Sequence, residues 1–322
     1  MKRRKYIMSV SNNILQIETS AAVGGCPWGI GVDVSNDLTP AQMMTKAGVD
    51  WKVEKVPTFA QFNDQSIPTG MEALIRQSDG KVLTQVGGNW NPCQNEEAFN
   101  FFNEYCLAGD MEMNAAGSLK DGKMVWALAK VKDSFDALPG DQIDSYMLFS
   151  NPHEYGKSID IRFTPIRVTC MNTLALALNT KAVSSAKINH RRAFDPEQVK
   201  ITLGLANEKF EKFKEVSKIL SRKQFKMNEL IQYYNTIYPA QGQVTKVDDL
   251  APNARKAYEV LETQPGAEYG RGTWWQAFNS VTYIADHQVG RSADSRMTSS
   301  WYGANQRRKK RAVELAVEMA TA

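Results

Sequence analysis

The sequence is poor in the residues that most often build metal centres and disulfide frameworks. It has three histidines and four cysteines in 322 residues, and Cys26, Cys93, Cys106 and Cys170 are scattered without any CxxC spacing. Four thiols in a chain of this length do not make a disulfide scaffold, so we expect reduced and mostly buried cysteines. A zinc site would need ligands from distant segments, and we therefore expect no metal.

Long apolar runs are also missing. No uninterrupted apolar stretch approaches the roughly 20 residues that span a bilayer, which argues against an integral membrane protein. The basic start from Lys2 to Lys5 is followed by serines and asparagines rather than by the apolar core of a signal peptide. Since 43% of the residues are hydrophobic and 23% are charged, the composition is that of a globular chain, and we expect a cytoplasmic protein.

Basic residues are concentrated in three segments. Lys2 to Lys5 carry +4, the run from Arg307 to Arg311 carries +5, and residues 187–226 hold eleven basic and five acidic side chains, which gives +6. Together these segments carry +15, so the rest of the chain holds −11 of the total of +4. This distribution is typical of contact with a polyanion, although such runs are also common as solvated faces and tails.

Three β-hairpins are predicted from alternating apolar residues around turn residues. Their strands are Glu72 to Arg76 with Val82 to Val86, Ala115 to Leu119 with Met124 to Val131, and Tyr146 to Phe149 with Ser158 to Phe163. The first two hairpins contain Asp-Gly, the strongest short-range hairpin signal. The pattern predicts an α+β fold, in which an antiparallel sheet built from hairpins carries packed helices and is followed by a mainly helical C-terminal region.

Helical spacing recurs around and after these hairpins. The apolar run from Cys170 to Leu178 predicts a helix buried on the sheet. We place a domain boundary near 190, between an α+β sheet domain with a basic tail (1–190) and a mainly helical region that ends in a basic helix (191–322). The other predicted helices are Ser35 to Val49, Glu96 to Ala108, Pro196 to Val216, Thr273 to Asp286 and Arg307 to Ala320.

Motifs for catalysis are incomplete. Gly117 to Met124 nearly matches the P-loop pattern GxxxxGK[ST], but Met124 cannot supply the hydroxyl that binds Mg²⁺, and β-rich residues follow it. Asp286, His287 and Asp160 could serve acid–base chemistry, yet no HExxH motif or nucleophile elbow accompanies them. We therefore expect no cofactor and no enzymatic activity. An enzyme that uses Asp286 and His287 is the alternative.

Basic residues interleaved with aromatic residues are the positive signal for function. Single strands are held by rings that stack on bases and by cations that neutralise phosphates. The alternative is that the tryptophans pack in the hydrophobic core and do not stack on bases. The predicted nucleic-acid contacts are Lys157, Arg162, Arg167, Arg191, Arg192, Trp274, Trp275, Arg307, Arg308, Lys309, Lys310 and Arg311.

The third hairpin makes this prediction specific. Strand alternation places Ile159, Ile161 and Phe163 on a helix-covered core, whereas Asp160 and Arg162 face the other way. Strict alternation would also turn Arg167 toward the core. A role for Arg167 in binding therefore requires Pro165 to reset the register, and an Asp160–Arg162 pair on the outer face is the structural alternative.

Six ordered segments together resemble the phage/plasmid-like protein family, which is catalogued mainly as a domain of unknown function. The resemblance extends from about Cys26 to Ala316, although the family's opening histidine after Trp28 is absent. It implies an origin in a phage or plasmid and carries no established active site. The segments are Pro27 to Gly31, Asp50 to Val53, Asn91 to Phe99, Ala115 to Leu119, Thr164 to Leu174 and Thr273 to Tyr283.

The order of three hairpins and a helix is also similar to the β-β-β-α core of the single-strand annealing proteins of phages, an analogy of fold that does not establish function. Annealing needs no nucleophile, metal or nucleotide. We therefore expect a phage- or plasmid-encoded protein that binds nucleic acid, specifically single-stranded DNA during recombination, as a homo-oligomer and without membrane contact. A protein-binding module directed against a host factor is the other alternative.

Overall fold

The computed structural model describes residues 28, 30–34, 38–108, 111–174, 185–188 and 210–322. The strands are β1 (Val32–Asp33), β2 (Val53–Phe62), β3 (Gln65–Arg76), β4 (Lys81–Gly87), β5 (Glu112–Leu119), β6 (Met124–Asp136), β7 (Gln142–Pro152), β8 (Ile159–Arg167), β9 (Asn172–Thr173) and β10 (Ser185–Ile188). The helices are α1 (Pro40–Ala47), α2 (Asn95–Ala108), α3 (210–222), α4 (Met227–Ile237), α5 (Pro252–Glu259), α6 (Trp274–His287), α7 (Ala293–Tyr302) and α8 (Ala304–Thr321). The predicted α+β fold with a helical C-terminal region is confirmed.

The large sheet has seven antiparallel strands in the order β1-β5-β6-β7-β8-β10, and β9 also pairs with β8. All three predicted hairpins are present, because β3–β4, β5–β6 and β7–β8 pair as consecutive strands. The turn between β5 and β6 occupies the near-match to the P-loop. Lys120, Asp121 and Gly122 there have φ values of 53°, 55° and 89°, so this segment is a tight turn between strands.

The small sheet has the order β2-β3-β4. A two-residue turn of Asn63 and Asp64, both at positive φ, joins β2 to β3, as the hairpin turn of type I′ requires. Because β4 pairs with β3 only from Met71 onward, residues 57–70 form a two-stranded ribbon. Its apolar side chains are exposed, including Phe62 at 64%.

The large sheet is covered on both faces, and alternation along β6 shows the two sides. Ala127 and Ala129 belong to the main core, which contains apolar residues of α2, α4, α6 and α8. Trp126 and Leu128 belong to a second cluster, in which α7 contributes Trp301. Residues on both sides of the predicted boundary at 190 share the main core.

Two helix predictions need correction. The buried helix predicted from Cys170 is wrong for the described residues 170–174, which form a turn followed by β9, while 175–178 lie outside the described residues. The first helix starts at Pro40 and is capped by Thr39, whose hydroxyl oxygen accepts from the amide of Gln42. Of the predicted helix from Pro196 to Val216, the structure describes residues 210–216, which lie in α3.

Buried tyrosines of α4 tie the C-terminal helices together. The Tyr233 hydroxyl donates to the carbonyl of Ala312 at 3.1 Å, and that of Tyr234 is 2.7 Å from the Ser280 hydroxyl. Burial raises the pKa of Tyr233, Tyr234 and Tyr238 above the ordinary value of 10.0. The folded protein therefore keeps these three protons at a pH at which the unfolded chain releases them.

We expect alkaline unfolding as a consequence. Above about pH 10 the unfolded state binds fewer protons, so each of these tyrosines lowers the free energy of unfolding by about 1.4 kcal/mol per pH unit. The sequence has eleven tyrosines, and the exposed ones ionise gradually, so the test is whether the last part of the tyrosinate absorbance appears together with a cooperative loss of the helical circular dichroism. Complete ionisation of all eleven with an unchanged helical signal would show that the buried phenols are accessible in the folded state.

Candidate functional site

A cleft of about 800 Å³ lies between the turn and strands of the β7–β8 hairpin, helix α7 and the first turns of α8. Its walls mix apolar and polar groups, and the charged side chains are five basic and two acidic ones. The charged residues are Lys120, Lys157, Arg162, Lys309, Lys310, Asp160 and Asp294. The hydroxyl-bearing residues include Ser150, Thr173, Thr298, Ser300 and Tyr302.

The junction between α7 and α8 determines the position of one wall of the cleft. Helix α7 starts with a capping box between Ser292 and Ser295, and Gly303 separates it from α8. A Cβ atom at Gly303 would lie 2.9 Å from the Cα of Ser299, so a larger residue would push the two helices apart. This close approach allows Tyr302 and Lys309 to line the same cleft.

Asp160 and Arg162 form an ion pair in the wall formed by β8. Arg162 also donates from Nη1 to the carbonyl of Trp301 at 2.6 Å, and its guanidinium lies 4.5 Å from the centre of the Tyr302 ring. The Tyr302 hydroxyl is 2.5 Å from the Ser150 hydroxyl. The pair predicted as the structural alternative is therefore present, and α7 covers it.

A second ion pair joins Asp286 of α6 to Lys309 of α8, with 2.8 Å between Oδ1 and Nζ. Thr173 donates to the other carboxylate oxygen from its amide at 2.7 Å and its hydroxyl at 2.6 Å, and Ser300 donates to Oδ1. Lys309 also donates to the Thr173 hydroxyl at 2.5 Å. Because all four residues are buried, Asp286 cross-links β9, α6, α7 and α8.

The pKa of Lys309 is lowered from its ordinary value of 10.5 by burial, against the opposing attraction of Asp286. The nearby Arg162 also lowers it. Burial likewise lowers the pKa of His287, which favours the neutral imidazole. The His287 Nε2 atom lies 2.9 Å from the carbonyl oxygen of Cys170 and donates to it. Asp286 and His287 therefore make separate hydrogen bonds, Asp286 with Thr173, Ser300 and Lys309 and His287 with the carbonyl of Cys170.

The rim of the cleft carries the accessible cations. Lys157 and Lys310 are exposed, and the nearest acidic partner recorded for Lys310 is Glu314 at 3.9 Å. Lys120 is paired with Glu154 at 2.8 Å, and its amide donates to Asp294 at 2.6 Å. Lys157 and Lys310 are thus the best placed to meet an anion.

Four of the predicted nucleic-acid contacts come together here. Lys157 and Arg162 come from the β7–β8 hairpin, while Lys309 and Lys310 come from the terminal basic run almost 150 residues later, and all four line the cleft. The other basic residues of that run do not line it. Arg307 is exposed, Arg308 lies over the Tyr238 ring, and Arg311 pairs with Glu318.

Three predicted contacts are corrected by their burial. Trp274 and Trp275 are 1% and 0% exposed and pack in the main core. Arg167 is paired with Asp141, with 2.6 Å between Nε and Oδ1. The pairing of β7 with β8 continues through Pro165 without a shift, so alternation turns Arg167 inward. Arg191 and Arg192 lie outside the described residues.

Sequence reasoning missed the hydroxyl groups of the site. Thr173 falls in the segment predicted as a helix, and no pattern in the sequence indicates a role for Ser150 or Ser300. One signal was available for Lys309, because Ala312, Val313 and Ala316 follow it at the spacing of one helix face. That spacing predicts a buried face for Lys309 within an otherwise exposed basic run.

Across the described part of the chain, helices that could cross a bilayer are absent. Groups of three or more histidine, cysteine, aspartate or glutamate side chains that could hold a metal ion are likewise absent from it. Burial raises the pKa of the Cys93 and Cys106 thiols to about 12, so neither is a ready nucleophile.

Comparison with known proteins gives one assignment. A family model described as a domain of unknown function (DUF932) matches residues 82–313, which is more than two thirds of the chain. The chain belongs to this family. No curated protein and no solved structure matches it.

The DUF932 match includes every residue that lines the cleft, from Lys120 to Lys310. It also includes both ion pairs and the Arg167–Asp141 pair in the core. Strands β2 and β3, with the exposed ribbon, precede it. The cleft therefore lies wholly within the stretch of this DUF932 chain that the family model matches.

Proposed function

We propose that this DUF932 protein binds single-stranded nucleic acid, with single-stranded DNA in phage or plasmid recombination as the specific role. The observation that carries the proposal is the meeting of four basic residues from two distant segments, Lys157, Arg162, Lys309 and Lys310, in one cleft. Two of them, Lys157 and Lys310, are exposed. Such a rim suits a phosphate backbone, since lysines neutralise phosphates and release counterions.

The hydrogen bonds of Asp286 and His287 favour a binding function over a catalytic one. Asp286 accepts four hydrogen bonds, which leaves its carboxylate little freedom to act as a base. His287 is occupied with the carbonyl of Cys170. We accordingly propose a cytoplasmic binding protein without enzymatic activity or cofactor, in which the buried pairs hold the cleft and the rim lysines contact the strand.

The rim lysines give a direct test. In a Lys157→Ala/Lys310→Ala double variant, we expect weaker binding of a labelled single-stranded oligonucleotide and a smaller dependence on salt. The slope of log affinity against log salt should fall by roughly 0.7 if the two lysines share one phosphate and by roughly 1.4 if they contact two, since each neutralised phosphate contributes about 0.7 for single strands. Because both lysines are exposed, thermal unfolding should change by only about 0.5 kcal/mol.

Lys256→Ala is the matched control, because Lys256 is an exposed lysine of α5 away from the cleft. Its slope should equal that of the unchanged protein. If the double variant also keeps the full slope, the strand is bound elsewhere. If no oligonucleotide binds at low salt, the proposal fails, and the exposed apolar side chains of the ribbon favour the protein-binding alternative.

A further inference from the structure

The two ion pairs of the cleft differ in how many of their polar atoms form hydrogen bonds. Both oxygens of Asp286 accept hydrogen bonds. Asp160 uses Oδ2 for Arg162, whereas its buried Oδ1 has no hydrogen-bond partner among the described residues. The Asp160 side chain is 5% exposed and lines the cleft. A buried carboxylate oxygen without a donor is costly and calls for an explanation.

The guanidinium of Arg162, the cation of the same ion pair, is also incompletely hydrogen-bonded. Its two terminal nitrogens donate to Trp301 and Asp160, while its buried Nε has no partner within the described part of the chain. The one ion pair in the wall formed by β8 therefore contains both an acceptor and a donor without a recorded partner among the described residues. Lys157, three residues before Asp160, and Lys310 place further positive charge on the same cleft.

A ligand that fits this wall needs an anionic group and a hydrogen-bond donor. The lysines and Arg162 favour an anion, whereas Oδ1 of Asp160 repels an anion and requires an O–H or N–H donor. A cleft of about 800 Å³ lies in the range of pockets that enclose small molecules. It therefore fits one nucleotide unit rather than a long stretch of strand.

We infer that the cleft seats a single nucleotide unit of the bound strand, with its phosphate on the basic residues and a sugar hydroxyl donating to Oδ1 of Asp160. The free acceptor lies beside the cation, so the donor must lie close to the phosphate. In a nucleotide the sugar hydroxyl meets this condition better than the base edge. The hydroxyl has two sources, the 2′-OH within an RNA strand or the 3′-OH at the end of a DNA strand.

This inference rests on the proposed function and is tested with pairs of ligands that differ in one kind of hydroxyl. The probes are labelled oligonucleotides of one sequence: DNA with a 3′-OH, DNA with a 3′-deoxy end, RNA with a 3′-deoxy end, and 2′-O-methyl RNA with a 3′-deoxy end. Since a hydrogen bond to a charged group is strong, the hydroxyl-bearing partner of a pair should bind about tenfold or more tightly. Preference for the 3′-OH DNA identifies the strand end, and preference for RNA identifies the ribose.

Asp160→Asn supplies the protein side of the test. The variant keeps the size of the side chain but replaces the charged acceptor with a weaker neutral one, so the preference for the hydroxyl probe over the deoxy probe should fall to a few-fold at most. Thermal unfolding of the variant checks that it folds, and the ligand series on the unchanged protein needs no variant. Equal binding of all four probes with intact salt dependence would overturn the inference and leave the proposed function standing. Failure of every probe to bind would overturn both.

Discussion

Replacing Arg167 with alanine should lower the free energy of unfolding by about 3–5 kcal/mol, the usual cost of removing one partner of a buried ion pair. The Arg167 side chain is 2% exposed and that of Asp141 is fully buried. Arg167 donates to both carboxylate oxygens at 2.6 and 2.9 Å and to the carbonyl of Gly266 at 2.7 Å. Without it, the Trp275 indole is the one side-chain donor to Asp141 that remains among the described residues.

Urea denaturation of the variant and the unchanged protein measures this loss. Arg311→Ala is the control, because the Arg311–Glu318 pair is about half exposed and exposed pairs contribute at most about 1 kcal/mol. In an Arg167→Met/Asp141→Leu variant the loss should be smaller than in Arg167→Ala, since no buried charge remains. Weaker oligonucleotide binding by Arg167→Ala without any loss of stability would restore Arg167 as a surface contact.

The orientation of the Arg167 side chain shows what strand periodicity can predict. Alternation correctly placed Ile159, Ile161 and Phe163 in the core, and the same alternation turned Arg167 inward. The exception assumed at Pro165 was wrong, because β8 keeps its register there. The acidic partner could not be predicted, since Asp141 lies 26 residues earlier in a turn and no local pattern links the two.

Two other segments, the run from Cys170 and strand β2, also differ from what their sequences predict. The run from Cys170 is apolar enough for either a helix or a buried strand, and apolarity alone does not separate these outcomes. In the structure Asn172 lies in β9, which pairs with β8, and its side chain donates to Thr282 of α6 at 2.9 Å. Strand β2 escaped prediction because much of it is exposed and shows little alternation. Its partner β3 supplies the pairing that makes it a strand.

The cleft was predictable only in part. The terminal basic run predicts Lys309 and Lys310, and the basic residues of the third hairpin predict Lys157, but sequence cannot show that two segments about 150 residues apart face one cleft. The Gly303 junction and the order of the sheet bring them together. The hydroxyl groups of Thr173 and Ser300 carry no periodic or charge signal, so their roles appear only when β9, α6 and α7 are packed.

The second large effect is expected at Asp286. Asp286→Ala removes the acceptor of four hydrogen bonds and leaves Lys309, which is 2% exposed, as an unpaired buried charge. We expect a loss of about 3–5 kcal/mol in the free energy of unfolding, measured by urea denaturation. The matched control is Glu314→Ala, because Glu314 forms a surface pair with Lys310 at 3.9 Å and its removal should cost less than about 0.5 kcal/mol.

A pH series distinguishes the buried charge from the loss of packing. Burial holds the pKa of Lys309 below its ordinary value, and loss of Asp286 removes the main attraction that opposes this shift. Between the lowered pKa of the folded state and about 10.4 in the unfolded state, the unfolded chain binds the extra proton, so stability rises with pH. The deficit of Asp286→Ala should therefore shrink as the pH rises toward 10, whereas a deficit from a cavity alone would stay constant. In an Asp286→Ala/Lys309→Met variant this pH dependence should disappear, and its persistence there would assign the effect to another group.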